Sequence, residues 1–242
     1  MNQNLHIFET PLETARAVAE LIMTKAKEKN KKSLPFNIAL SGGNTPQLLF
    51  KILANEYVDT IPWHFIRLFW VDERCVPPTN AESNYGMTYE SLLKNVPVHE
   101  ANIFPIQGEI DPISEAKHYQ YILETQLPKR NGYPKFDLIL LGMGDDGHTA
   151  SIFPNELELL HSEQFVTVST HPVSKQKRIT LTGQTINQAD DVVFLIIGAS
   201  KADVLKQIIQ RRLNFETFPA SYIHAQAIPA QFYLDKAAAE KL

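Results

Sequence analysis

The chain has 242 residues and a formal net charge of −4, with 44% hydrophobic and 21% charged residues. That balance is ordinary for a globular protein with a real core, and it argues against disorder and against a nucleic-acid-binding surface. The lone Cys75 cannot form an internal disulfide, the opening residues show no basic start followed by an apolar run, and the apolar stretches are too short to span a membrane. A cytoplasmic enzyme, monomeric or homodimeric, without nucleic-acid or membrane partners is therefore the expectation.

In chain order, residues 10–31 place Leu12, Ala15, Val18, Ala19, Ile22 and Met23 at helical spacing and end in a lysine-rich turn. Residues 36–40 form a short apolar run that stops at Ser41-Gly42-Gly43, and Thr45-Pro46 then predicts a helix start, with Thr45 as the cap. The alternation continues. Strands are predicted over 66–71, 136–141 and 192–197, with helices over 85–93, 114–127 and 201–210. Shorter strands are predicted over 165–169, 178–181 and 232–234. Continuous apolar runs suit strands covered on both faces. The expected fold is a single α/β domain over residues 1–242, Rossmann-like and doubly wound, its mainly parallel sheet flanked by helices.

Open α/β sheets bind ligands beyond the carboxyl ends of their strands. The polar and glycine-rich segments fall at such ends: SGGNTP after the first strand, VDERCVP after the second, LGMGDDGHTASIFP after the third and GASK after another. In the first of these, Gly42, Gly43, Asn44 and Thr45 offer backbone N–H groups and a helix start to a phosphate or an oxyanion; a plain tight turn is the competing reading. No lysine follows in the manner of a nucleoside-triphosphate loop. Residues 142–147 match a dinucleotide fingerprint in letters, but Asp145 and Asp146 put negative charge where a pyrophosphate would lie, and Pro154 interrupts the helix that should follow.

His148 follows that loop directly, where a neighbouring aspartate can hold its tautomer while it activates water. Asp72 and Arg74 end a strand, as catalytic groups often do, although a solvated ion-pair network is an equal claimant. Arg178 and Lys201, each bordering a predicted strand on the sheet edge that carries SGGNTP, could together bind one phosphate, although each could equally be a surface charge. The other seven histidines are expected to be surface or packing residues, and Cys75 a small buried one. No histidine or cysteine cluster has metal-ligand spacing, so no metal is expected.

Taken in this order, SGGNTP, VDERCVP followed by Ser83-Asn84-Tyr85-Gly86, and GDDGHTASIFP resemble the 6-phosphogluconolactonase family, relatives of the glucosamine-6-phosphate isomerase/deaminases. The resemblance spans nearly the whole chain. It implies a Rossmann-like fold and hydrolysis of 6-phosphoglucono-1,5-lactone to 6-phosphogluconate without metal or cofactor. It places His148 as the general base, with Asp146 orienting it and Asp72 supporting. Gly42, Gly43, Asn44 and Thr45 become the loop lining the sugar-phosphate site. Arg74, Arg178 and Lys201 become its basic residues, with the division between phosphate and oxyanion left open. Asn44 and Cys75 depart from common family versions. Two alternatives stand beside it. One is a deaminase, which typically carries a glutamate where Phe153 stands and an aromatic residue where Arg74 stands. The other is a non-catalytic sugar-phosphate-binding protein.

Overall fold

The apolar runs become strands because each is covered on both sides: FNIAL, LILL, DVVFLI and QFYLD are buried at every position. The structure, a computed structural model, describes residues 4–212, 214–226 and 229–242. Its strands are β1 (Asn4–Phe8), β2 (Phe36–Leu40), β3 (Ile66–Trp70), β4 (Asp72–Arg74), β5 (Ile103–Phe104), β6 (Lys129–Arg130), β7 (Tyr133–Pro134), β8 (Leu138–Leu141), β9 (Val166–Thr170), β10 (Lys177–Leu181), β11 (Asp191–Ile196) and β12 (Gln231–Asp235). Its helices are α1 (Pro11–Lys31), α2 (Asn44–Glu56), α3 (Asn84–Ser91), α4 (Pro112–Gln126), α5 (Gly183–Ile186) and α6 (Ala202–Ile209).

Seven strands form one sheet in the order β1-β12-β11-β8-β2-β3-β5, and every pairing in it is parallel. The expected α/β architecture is the observed one. From β2 the chain builds outward through β3 to β5, whereas from β8 it builds the other way through β11 to β12. The neighbours β2 and β8 are thus the point where the winding reverses, and the loops leaving their carboxyl ends diverge and open a crevice.

Helix α1 starts where Thr10 accepts a bond from the Glu13 N–H and Pro11 supplies the preset φ, and it buries Ala15, Val18, Ala19, Ile22 and Ala26. Its lysines reach the amino ends of the sheet. Lys29 Nζ lies 2.5 Å from Asp137, which also accepts from the Asn37 N–H at 2.8 Å, and Lys25 pairs with Asp191. These contacts join α1, β2, β8 and β11 at the edge opposite the crevice. Aromatic rings fill the interior, with Phe194 stacked on Phe232 at 4.8 Å and Phe69 on Phe104 at 4.7 Å.

Three expectations need correction. The predicted strands over 165–169 and 178–181 do not enter the parallel sheet; β9 and β10 join β4 in a separate antiparallel sheet of three. Arg178 therefore lies on that small sheet and not on the edge of the large one. Thr45 is not the cap of α2: the helix begins at Asn44, with Gly43 as cap and its carbonyl accepting from the Gln47 N–H at 3.1 Å. Gly43 takes a φ of +104°, which a threonine would resist, so the turn closes without a side-chain cap. Among the described residues no helix is long and apolar enough to cross a membrane.

Strand β5 is too short to cover β3, and Trp70 extends past it. The Tyr119 hydroxyl of α4 takes the place of the missing strand, accepting from the Trp70 N–H at 2.9 Å and donating to the Trp70 carbonyl at 3.0 Å, fully buried. Tyr119→Phe orphans both backbone groups. It should lower unfolding stability by about 1–3 kcal/mol in urea titrations without changing the slope. An unchanged midpoint would show that water or a shifted neighbour satisfies Trp70.

Candidate active site

Gly42, Gly43, Asn44, Thr45, Asp72, Arg74, His148, Arg178 and Lys201 all line one cavity of about 370 Å³ at the β2–β8 crevice. Asp146 does not line it but stands behind His148. Four loops leaving strand ends converge here, with β4 and β10 of the small sheet forming one wall.

That wall follows from strand register. Arg178 lies directly opposite Arg74, and Thr180 opposite Asp72. Opposed residues share a face and alternate residues return to it, so Asp72, Arg74 and Arg178 are presented together. Glu73, between them, turns the other way. It is buried and accepts from the N–H groups of Arg74, Asn84 and Tyr85, each at 2.7 Å, and from the Ser83 hydroxyl at 3.0 Å. Burial pushes its carboxyl up, and those backbone bonds oppose the shift. Glu73 thereby pins the start of α3 to β4 and carries Asn84 to the cavity.

Arg74 bonds the Glu82 carbonyl through one terminal nitrogen, yet its Nε has no partner, and neither has that of Arg178. Neither arginine forms an ion pair among the described residues. Burial pulls the Arg178 guanidinium below its ordinary value, Asp72 opposing and Arg74 adding to the effect. Among the described residues six buried side-chain atoms lack partners, and four belong to cavity residues: Ser41 Oγ, Asn84 Oδ1 and the two arginine Nε atoms. Polar atoms left open in one place mark where a polar ligand is accommodated. On the opposite wall, Lys201 Nζ pairs with Asp145 at 2.6 Å. The first turn of α2 has no side-chain cap, leaving its N–H groups toward the anion-binding end.

His148 is held at its Nδ1, 2.6 Å from Asp146 Oδ1, and its own backbone N–H donates to the same oxygen at 3.1 Å. Burial would push the Asp146 carboxyl up, but the hydrogen bond and charge of His148 outweigh it and hold it at about 2. Because this pKa is depressed, the pairing is fully formed above the ordinary carboxylate range and is lost only as pH falls toward about 2. An ionised carboxylate can only accept, so Nδ1 carries a proton, and in the neutral ring Nε2 is then the nitrogen with the lone pair. Gly144 permits this geometry, since a Cβ there would lie 2.1 Å from His148 Nδ1. The ring rests on the buried Phe153 at 4.9 Å, and His171 stands edge-on to the same ring at 5.1 Å with Arg178 above it at 5.7 Å. His171 packs as expected, but beside the site; burial and Arg178 lower its pKa.

Asp72 is almost fully buried. It accepts from Ser151 Oγ at 2.6 Å, and its carbonyl accepts from Asn84 Nδ2 at 2.9 Å. Asn84, Ser41, Ser151 and Phe153 were not singled out as site residues, although all lie within the motifs quoted above. The glycines at 142–147 open no helix, since the chain proceeds to a bridge between Thr149 and Ile152. That geometry does not suit a dinucleotide.

An open parallel α/β fold with an anion-ready crevice at its winding reversal defines the class. The chain belongs to the family of glucosamine-6-phosphate isomerases/6-phosphogluconolactonase, whose model matches residues 9–232. It is 42% identical over 203 residues to a 6-phosphogluconolactonase of Treponema pallidum, covering 84% of this chain and 83% of the relative. The structure of the 6-phosphogluconolactonase of Trypanosoma cruzi superposes with a TM-score of 0.89 at 30% identity, over 100% of this chain and 97% of that one. A monomeric glucosamine-6-phosphate deaminase superposes with a TM-score of 0.82 over 99% of this chain and 100% of that one, at 20% identity, a likeness of fold alone.

Cys75 lies just outside this cavity, half-buried where a buried residue was expected. Burial and the Glu73 carboxylate push its thiol up to about 11, Lys177 and Arg178 opposing. The folded protein at pH 8 should react with iodoacetamide ~100-fold more slowly than free cysteine, because so little thiolate is present, and unfolding should restore the rate. Rapid labelling of the native protein would show an accessible thiolate.

Proposed function

We propose that the chain, acting as one domain over residues 1–242 in the cytoplasm, hydrolyses 6-phosphoglucono-1,5-lactone to 6-phosphogluconate. One observation carries the chemistry. His148 is held on Asp146 through Nδ1, which leaves Nε2 as the nitrogen that can meet water, beside a wall bearing two arginines that form no ion pair among the described residues. The names of the relatives supply the substrate class.

In this reading Nε2 of His148 takes a proton from water as the oxygen attacks the lactone carbonyl. Asp146 stabilises the imidazolium that results and keeps the ring oriented. Negative charge collects on the former carbonyl oxygen, facing Arg74 and the N–H groups of the glycine loop. Each well-aimed donor contributes about 3–4 kcal/mol to such a transition state. Collapse of the tetrahedral intermediate breaks the bond to the ring oxygen, and His148 returns its proton there. Arg178, Lys201 and the first turn of α2 hold the phosphate and so orient the ring. Asp72, fixed by Ser151 and Asn84, supports as an acceptor for water or a sugar hydroxyl.

The deaminase alternative needs carbon-bound proton transfer and a histidine supported by a second carboxylate. Phe153, an apolar ring, occupies the place beside His148 where that carboxylate would stand. A coupled assay on purified protein with both substrates decides. Lactone hydrolysis above the spontaneous rate is expected, and ammonia release from glucosamine-6-phosphate would overturn the proposal. Tight phosphosugar binding without turnover would identify a sensor.

His148→Ala should lower turnover by roughly 10²–10⁴-fold with the fold intact, and Asp146→Asn or Asp72→Asn should each cost less. Damage by Asp72→Asn equal to that by His148→Ala would reverse the roles. Arg178→Ala should weaken transition-state binding by about 1.5–3 kcal/mol on the phosphorylated lactone and far less on gluconolactone, which has no phosphate to meet the deleted group. Equal losses on both substrates would move Arg178 from the phosphate to the lactone or the fold.

A further inference from the structure

The loop after β8 carries two adjacent aspartates, and only one of them serves the base. Asp146 orients His148, whereas Asp145 crosses to the start of α6 and bonds Lys201 Nζ at 2.6 Å. The lysine lines the cavity and the carboxylate does not. Lys201 is mostly covered, its side chain 21% exposed, while that of Asp145 is 69% exposed. Arg178, the other cation assigned to the phosphate, has no carboxylate partner among the described residues, and its Nε has no hydrogen-bond partner there. Of the two cations assigned to the phosphate, one is therefore unpaired among the described residues and the other is already paired with a carboxylate before any ligand arrives.

We propose that Asp145 sets the affinity of the site for phosphorylated ligands. Its carboxylate holds the Lys201 ammonium at the cavity wall and offsets part of its charge, so that substrate is positioned without product being retained. The inference rests on the assignment of Lys201 to the phosphate made above.

The argument is geometric and electrostatic. An ammonium has three donors, and one bond to Asp145 leaves two for phosphate oxygens. Two acceptors that share one ammonium sit about 5 Å apart. A carboxylate at that distance from a phosphate dianion repels it, and in solvent-exposed surroundings the repulsion amounts to ~3- to 15-fold in affinity. Hydrolysis leaves a product with one more negative charge than the lactone, its new carboxylate. The same carboxylate of Asp145 therefore weighs more against product than against substrate, which favours turnover over retention.

Asp145→Asn separates the two functions, because the amide oxygen still accepts from Lys201 but carries no charge. Calorimetric titration of the full chain with 6-phosphogluconate, inorganic phosphate and gluconate, at low and high ionic strength, reads the effect. For Asp145→Asn the two phosphorylated ligands should bind ~3- to 15-fold more tightly at low ionic strength, less so at high, with gluconate, whose only charge is the distant carboxylate, gaining far less. The KM for the phosphorylated lactone should fall in parallel. Lys201→Met supplies the second arm and should weaken both phosphorylated ligands. If it does so while Asp145→Asn leaves them unchanged or weaker, Asp145 is only a mechanical tether and the inference fails. If Lys201→Met changes neither, Lys201 does not hold the phosphate, and the assignment beneath the inference fails with it.

Discussion

Arg74 and Arg178 face each other across one rung of an antiparallel ladder, and much of the site is arranged around that repulsion. Like charges directly opposite in a sheet are destabilising, by about 0.2–1 kcal/mol in ordinary exposed ladders. Here both guanidiniums are also partly desolvated, which adds to the cost. The carboxylates in the same strand, Asp72 and Glu73, balance the pair in number but do not bond it, since Asp72 is engaged by Ser151 and Glu73 by the start of α3. The charge left over belongs to whatever enters the cavity. Guanidiniums without an ion-pair partner among the described residues, inside a protein of net charge −4, are the electrostatic form a site for a small anion takes.

Stability and chemistry sit at opposite ends of the same strands. At the amino ends, Lys25 with Asp191 and Lys29 with Asp137 join α1 to the sheet, and Asp137 also receives the Asn37 N–H, so the charged groups there have partners. At the carboxyl ends, β2 and β8 release loops in opposite directions, and polar atoms are left open. A parallel sheet allows this division because its strands all present the same end to the same edge. The rigid interior between the two edges, with Phe69, Phe194 and Phe232 packed face to face against other rings, keeps the cavity groups in register with each other.

What could be read along the chain was what depends on neighbouring residues. The strands buried on both faces announce themselves as apolar runs, and the glycine-rich loops at their ends announce the site. Strand β1 was missed because it lies at the sheet edge, where Leu5 and Ile7 remain exposed and no long apolar run is required. Strand β4 was missed because three consecutive charged residues, Asp72-Glu73-Arg74, look like a loop; they form a strand only through pairing with β10, about a hundred residues later. The same long-range pairing, invisible to local periodicity, separated β9 and β10 from the main sheet. Asn84 is comparable. It reaches the cavity because Glu73 grips the start of α3, and nothing in its own neighbourhood announces that grip.

Phe153 shows how one position can tilt a shared scaffold toward one reaction. A histidine flanked by carboxylates on two sides is stabilised as imidazolium and is suited to hold a proton. Here His148 has a carboxylate on one side only, Asp146, and an aromatic ring on the other. In the proposed mechanism the apolar face gives nothing to the charged form, so a proton taken from water is readily passed on to a leaving oxygen. Ester hydrolysis needs that short residence, since the histidine must take a proton and return it within one turnover. The ring does a second thing at once. It also carries Arg178 through a cation–π contact at 5.7 Å, so the proposed base and the proposed phosphate cation share a single rigid ring. In the proposed reaction these two groups address the lactone carbon and the phosphate, and a shared support limits how far apart they can drift.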